Sequence, residues 1–132
     1  MQGIRGRDVL SCALGILLLL SACAGREEVF RASAPAGQKV RVEMKAGSFD
    51  FDPDVIRAKR GDTLVLHVTN VSGIGHNITV NDPSGKILKS QDIPAHESIT
   101  IEIALPNSGV YPFYCDKTFH PTLGMKGRIE VS

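Results

Sequence analysis

The sequence predicts an all-β fold, a Greek-key β-sandwich that follows an N-terminal leader. Three observations carry this. Apolar and polar residues alternate through most of the chain from Lys39 onward, the period of a half-buried strand. Short clusters of turn-forming residues interrupt the alternation at close intervals. No segment beyond the leader shows a convincing helical period.

The leader comes first. "MQGIRGRD" carries Arg5 and Arg7, an apolar run extends from Val9 to Leu20, and the run ends in "LSAC", Leu20 to Cys23. The run is too short to span a bilayer, and its charged head and small-residue tail read as a secretory signal. "LSAC" resembles the lipobox of bacterial lipoproteins. That resemblance implies a lipoprotein signal peptide over residues 1–22, with lipid on Cys23 as the new N-terminus. The other reading is an ordinary secretory signal with Cys23 as a stray thiol. Ala24 rather than Asp follows the cysteine, and by resemblance to diderm lipoprotein sorting this points to an outer membrane where the host has one. The expected location is outside the cytoplasm, lipid-anchored and facing the periplasm or cell exterior. Residues 23–38 continue with "AGREEVFRASAPAGQ", small, polar and interrupted by Pro and Gly, and read as a flexible tether. The folded domain is expected over residues 39–132.

The strand signals run in order along this domain. "VRVEMKA" sets Val40, Val42 and Met44 on one face. "TLVLHVTN" sets Leu64, Leu66 and Val68 one way, with Val65 and His67 the other. "HNITV", "SITIEIAL" and "RIEVS" repeat the pattern, and "FDPD", "KRGD", "NDPSGK", "IPAHE" and "LPNSG" separate the segments as turns. Several short strands at this spacing indicate an antiparallel sandwich or barrel.

Composition narrows function by exclusion. Fifteen basic against fourteen acidic residues give a net charge of +1. A near-neutral chain lacks the clustered basic charge on which nucleic-acid binding rests. The three cysteines are Cys12, Cys23 and Cys115. The first leaves with the signal and the second takes lipid, so the domain keeps one thiol and no internal disulfide. An exported lone thiol is an oxidation hazard unless something occupies it.

Two stretches bear on what occupies it. In "GIGHNITV", His76, Ile78 and Val80 share a face, and the two aliphatic residues mark that face as inward. In "YPFYC", Tyr111, Phe113 and Cys115 share a face, again marked inward by its large apolar members. His76 and Cys115 therefore stand at inward-facing strand ends that adjacent strands would bring together. "YCDKTFHPTLGM" then places His120 and Met125 after Cys115, with four residues between each pair, in a loop that must fold back before "KGRIEV". Two imidazoles, a thiolate and a thioether form a soft donor set. A His₂Cys site with a long axial Met suits copper, zinc takes four strong ligands, and calcium and magnesium need oxygens. The competing reading is a buried Cys and Met in a core with two histidines incidentally near. His67 and His96 read as surface residues.

"GHN" followed by "Y-x-F-Y-C-x₄-H-x₄-M-K-G" resembles the cupredoxins, the plastocyanin and azurin family of small blue-copper proteins. The resemblance covers residues 39–132 and includes "F-D-P-x-x-I-x-A-K-x-G-D-T", Phe51 to Thr63. It implies a cupredoxin-like sandwich with copper ligands His76, Cys115, His120 and Met125. It also implies that Asn77 ties the ligand loops together, its backbone N–H approaching the cysteine sulfur. Tyr111 matches a structural tyrosine of the last hairpin. Four residues between Cys115 and His120, where plastocyanin has two, match auracyanin-like and several bacterial lipoprotein cupredoxins.

The implied function is a membrane-anchored carrier of single electrons between redox protein partners, a monomer that meets the membrane through its lipid alone. A shell of four protein ligands leaves no open position for substrate, which argues against an enzyme. Four histidines in total cannot furnish the further clusters of copper nitrite reductases or multicopper oxidases, and the loop lacks the second cysteine of a dinuclear copper site. The alternative is a module that delivers, buffers or senses copper. The partner face is expected around His120, lined by Ile74, Pro121 and Leu123, with Lys117, Lys126 and Arg128 as a positive rim.

Overall fold

The computed structural model describes residues 35–117, 119 and 122–132, and the backbone of 29–31. Its strands are β1 (Val29–Arg31), β2 (Lys39–Ala46), β3 (Phe51–Asp52), β4 (Val55–Ala58), β5 (Thr63–Asn70), β6 (His76–Asn81), β7 (Ile87–Ile93), β8 (Ser98–Ala104), β9 (Gly109–Tyr114) and β10 (Lys126–Val131). They form two sheets. One runs β1-β4-β10-β9-β6-β7 and the other β3-β2-β5-β8. Among the described strands the chain changes sheet after β1, β3, β4, β5, β7 and β8, so the strands interlock as the Greek-key sandwich that the alternation predicts. Among the described residues no helix is long and apolar enough to cross a membrane.

The alternation becomes the core directly. β2 buries Val40, Val42, Met44 and Ala46, and its parallel neighbour β5 buries Leu64, Leu66 and Val68. β9 contributes Tyr111 and Phe113, and β10 Ile129 and Val131. Phe51 of one sheet meets Phe113 of the other edge-to-face, with ring centres 5.5 Å apart. Each such side chain contributes about 1.5–3 kcal/mol when taken fully out of water. The Tyr111 hydroxyl donates to the Asn107 carbonyl at 2.8 Å and pins the turn that enters β9.

Several elements depart from the sequence reading. β7 exposes all but Ile93, including Ile87 and Leu88, because it is an edge strand with little laid over it. The period-two signal is therefore missing from its sequence. β6 buries both of its faces. Asn77 and Thr79 point away from the core, yet β7 side chains cover them: Thr79 pairs with Ser90 at 2.9 Å, and Asn77 donates to Ser90 at 3.2 Å. Three residues of the segment read as a tether, Val29–Arg31, join the sheet as β1, parallel to β4. A β-branched and an aromatic residue suit a strand there, and the β4 edge offers open backbone groups.

The approach to β2 is fastened as well. Buried Asp62 accepts the N–H groups of Gly37 at 2.8 Å, Gln38 at 3.2 Å and Lys59 at 2.9 Å. Burial pushes its carboxyl up, but these three donors together outweigh it and hold the group below the usual carboxylate range.

Candidate metal centre

Two loops form one end of the sandwich. Residues 71–75 carry the chain from β5 to β6, and residues 115–125 join β9 to β10. The β9–β10 register sets Tyr114 against Lys126. The pairing runs one step further, for the Cys115 N–H donates to the Met125 carbonyl at 3.0 Å. The hairpin thus places the cysteine and the methionine opposite each other at the mouth of their own loop. β6 lies beside β9, with Thr79 paired to Tyr114, and this brings the start of β6 to the same mouth. His76, Cys115 and Met125 are all fully buried there.

A hydrogen bond links the two loops directly. The Asn77 N–H donates to Cys115 Sγ at 3.3 Å, so the residue after His76 touches the cysteine sulfur. A thiolate accepts such a bond better than a thiol, and a metal-bound cysteine is a thiolate. An imidazole, this sulfur and a thioether are buried at the same mouth. That set fits a soft, thiophilic ion of the copper kind better than a hard cation. Among the described residues no group of three or more His, Cys, Asp or Glu gathers to hold a metal. His120, the remaining residue of the set, lies outside the described residues, as do Pro121 and Cys23.

Asn77 ties the loops by two routes. Its backbone reaches Cys115, and its Nδ2 lies 3.5 Å from Asp92 on β7. Asp92 in turn accepts Lys117 Nζ at 2.9 Å, two residues past the cysteine. The Lys117 bond, helped by Asn77, holds the Asp92 carboxyl below its ordinary value, and the same bond raises Lys117. The expected positive rim is therefore partly neutralised: Lys117 is paired with Asp92, and Arg128 donates to Glu130 at 2.9 Å. Lys126 is exposed.

Ile74 and Leu123 are exposed on the two loops as expected. Phe119, 72% exposed at positive φ, and Val71 add to the same loops, and Phe49 is exposed near Gly124. Sequence reasoning missed these three, though a lone aromatic inside "DKTFHP" is a visible signal. His67 is half-buried against Thr100, and His96 is exposed in its turn. Asn70 and Ser72 were also missed. Both are buried polar residues beside His76, and Ser72 Oγ lies 2.8 Å from His76 Nε2.

The likenesses to known proteins agree with this geometry. Residues 10–131 match the family model described as "Cupredoxin-like domain". The chain is 32% identical over 111 residues to the chloroplastic plastocyanin major isoform of Arabidopsis thaliana, covering 75% of this chain. It spans 64% of that relative's length. Among solved structures, dithionite-reduced auracyanin from Roseiflexus castenholzii superposes with a TM-score of 0.62 at 20% identity, over 75% of this chain and 99% of that one. The metal binding domain of the Cu(I)-exporting P-type ATPase CopA of Streptococcus pneumoniae, solved with Cu(I), superposes with a TM-score of 0.61 at 17% identity, over 82% and 99%. At those identities the two structures speak for the fold alone.

Proposed function

Because the chain belongs to the cupredoxin-like domain family, we propose that it is a type 1 blue copper protein carrying single electrons between redox proteins outside the cytoplasm. The observation that carries this reading is the Asn77 N–H on a fully buried Cys115 sulfur, with His76 and Met125 buried at the same mouth. His76, Cys115, His120 and Met125 would hold the ion, which supplies a one-electron Cu(I)/Cu(II) couple when bound. The protein's own part is positional. β6 and the β9–β10 hairpin carry His76, Cys115 and Met125, burial keeps water from these three, and the bond to Cys115 Sγ withdraws charge from the sulfur. Purified protein given one equivalent of Cu(II) is expected to turn strongly blue or green and to bleach on ascorbate titration. Colourless protein with stoichiometric Cu(II) bound would overturn the assignment.

The alternative, a module for copper delivery or buffering, uses the same residues. Full burial of Cys115 and Met125 favours retention over hand-off, since a delivery site must let a partner's ligands in. The same burial, with no open position in the proposed shell, favours a carrier over an enzyme. Met125, a thioether, would be the weakest donor of the set. Met125→Leu is expected to keep the copper and raise the reduction potential, because losing a donor destabilises the oxidised state more. Loss of copper binding in that variant would show that Met125 is not a weak donor.

For the partner face, the exposed Ile74, Phe119 and Leu123 support docking at the loop end, since an apolar patch on a small domain marks a contact site. Redox encounters need only a small one. Leu123→Glu should leave the visible spectrum nearly unchanged. It should slow electron transfer to the physiological partner about tenfold, or about 1.4 kcal/mol. Stopped-flow rates equal to wild type would place the exit on another face.

We also propose the lipid anchor at Cys23. The leader and "LSAC" support it, and β1 gives it a consequence. Val29 and Arg128 both pair with Val55, so β1 starts near the end of the sheet that carries Met125. Five residues lie between Cys23 and Val29, at most about 20 Å of chain. Such an anchor keeps the copper end close to the membrane and favours partners on the same surface. Mass spectrometry of the mature protein should find a lipidated Cys23 at the N-terminus; an unlipidated N-terminus would refute the anchor.

A further inference from the structure

The side chains around His76 determine which of its ring nitrogens carries hydrogen. Asn70 is fixed most firmly of them. Its Nδ2 faces three carbonyl oxygens, those of Ile74 at 2.8 Å and of Ile93 and Pro94 at 3.1 Å. Its Oδ1 accepts the Ser72 N–H at 2.9 Å. Three acceptors around one atom and a backbone donor on the other leave a single orientation for the amide, so Oδ1 is an acceptor without ambiguity.

Ser72 lies between this amide and the ring. Its hydroxyl stands 2.8 Å from Asn70 Oδ1, 3.1 Å from the Ile74 carbonyl and 2.8 Å from His76 Nε2. It has one proton to give. The two oxygens can only accept, and aiming the proton at the ring would leave the hydroxyl oxygen facing both of them with lone pairs alone. The proton therefore goes to Asn70 Oδ1. What the hydroxyl offers His76 is a lone pair, and the ring must donate to it from Nε2. In the neutral imidazole the lone pair then lies on Nδ1. Asn70, Ser72 and His76 are all buried, so water does not readily replace these bonds, and breaking one leaves a polar group unsatisfied.

We infer that Asn70 and Ser72 are positioning residues for the metal centre: Ser72, oriented by Asn70, holds the His76 ring through Nε2–H and reserves Nδ1 for the ion. This rests on His76 being a copper ligand, and it extends that reading to two residues of the 71–75 loop and its approach. A ligating histidine is commonly fixed by a bond to its second nitrogen, and loss of such a partner weakens metal binding roughly 10–100-fold. Here that partner is a serine hydroxyl whose own proton is committed elsewhere, so the bond has a definite direction.

Nitrogen-15 NMR of the histidine rings in the full-length protein, metal-free and Cu(I)-loaded, tests it. In the metal-free wild type His76 is expected to carry its hydrogen on Nε2, with slow exchange against solvent. Ser72→Ala should speed that exchange about tenfold or more and weaken Cu(I) binding about tenfold. Ser72→Thr, which keeps the hydroxyl, should restore both. A wild-type His76 protonated on Nδ1 would overturn the inference whether or not any variant folds. So would a folded Ser72→Ala protein with unchanged exchange and affinity. Because the tautomer is read without metal, a protein that binds no copper yet carries Nε2–H would sink the copper assignment and leave the hydrogen-bond assignment standing.

Discussion

Cys115→Ser is expected to abolish the blue colour entirely while leaving the fold in place. The colour of a type 1 site comes from charge transfer out of a thiolate, and Cys115 is the single cysteine of the 39–132 domain. A serine oxygen is a hard, weakly acidic donor and supplies neither the transition nor the affinity of a soft ligand. The Asn77 N–H that now meets Sγ at 3.3 Å could still find the serine oxygen, so the substitution does not strand a buried donor. Burying a hydroxyl in place of a thiol costs about 1–3 kcal/mol, a tolerable fraction of a domain's stability. Circular dichroism should match wild type, and the visible spectrum with added Cu(II) should be empty. A variant as strongly coloured as wild type would show that the chromophore is not this sulfur.

Gly127→Ala is expected to be the most damaging single methyl added anywhere near the centre. Gly127 lies in β10 opposite Phe113, one residue after Lys126, which itself follows the Met125 loop. A Cβ at this position would collide with the Asp54 carbonyl oxygen and with the ring of Phe113. The first obstacle is backbone, held in place because the same carbonyl accepts the Arg128 N–H at 2.8 Å. The second is a fully buried ring locked edge-to-face against Phe51. Alanine would gain about 0.5–1 kcal/mol over glycine from backbone entropy. Overpacking a site that cannot give costs about 3 kcal/mol, so the steric term wins. For a domain of this size the melting temperature should fall by about 10 °C or more. An unchanged melting temperature would mean that the β4–β10 crossing is looser than the geometry states.

Legibility in the sequence differs residue by residue. The inward positions of His76 and Cys115 are readable from period-two alternation, because Ile78 and Val80, or Tyr111 and Phe113, mark the face each shares. The burial of Asn77 and Thr79 is not readable that way. It depends on Ser90 and Asp92 arriving from β7, a strand whose exposed sequence carries no period of its own. The same holds for the rim: Lys117 and Arg128 look like free charge in a string of letters, and only folding sets Asp92 and Glu130 against them.

The amino-acid order alone therefore determined the class of fold and the strands with one buried face, and it proposed His76, Cys115, His120 and Met125 as a soft donor set by their spacing. These are local properties, since periodicity, turn chemistry and donor softness are carried by neighbouring residues. The tertiary structure alone decided the rest: which sheet edge captured Val29–Arg31, why Gly127 must lack a side chain, and which hydroxyl holds His76. Each of these depends on an atom distant in sequence or on the path of a loop. The direction of the Ser72 bond illustrates the reason. It is settled by carbonyls from Ile93 and Pro94 around Asn70, more than twenty positions away, and a hydrogen bond registers only distance and angle, not order along the chain.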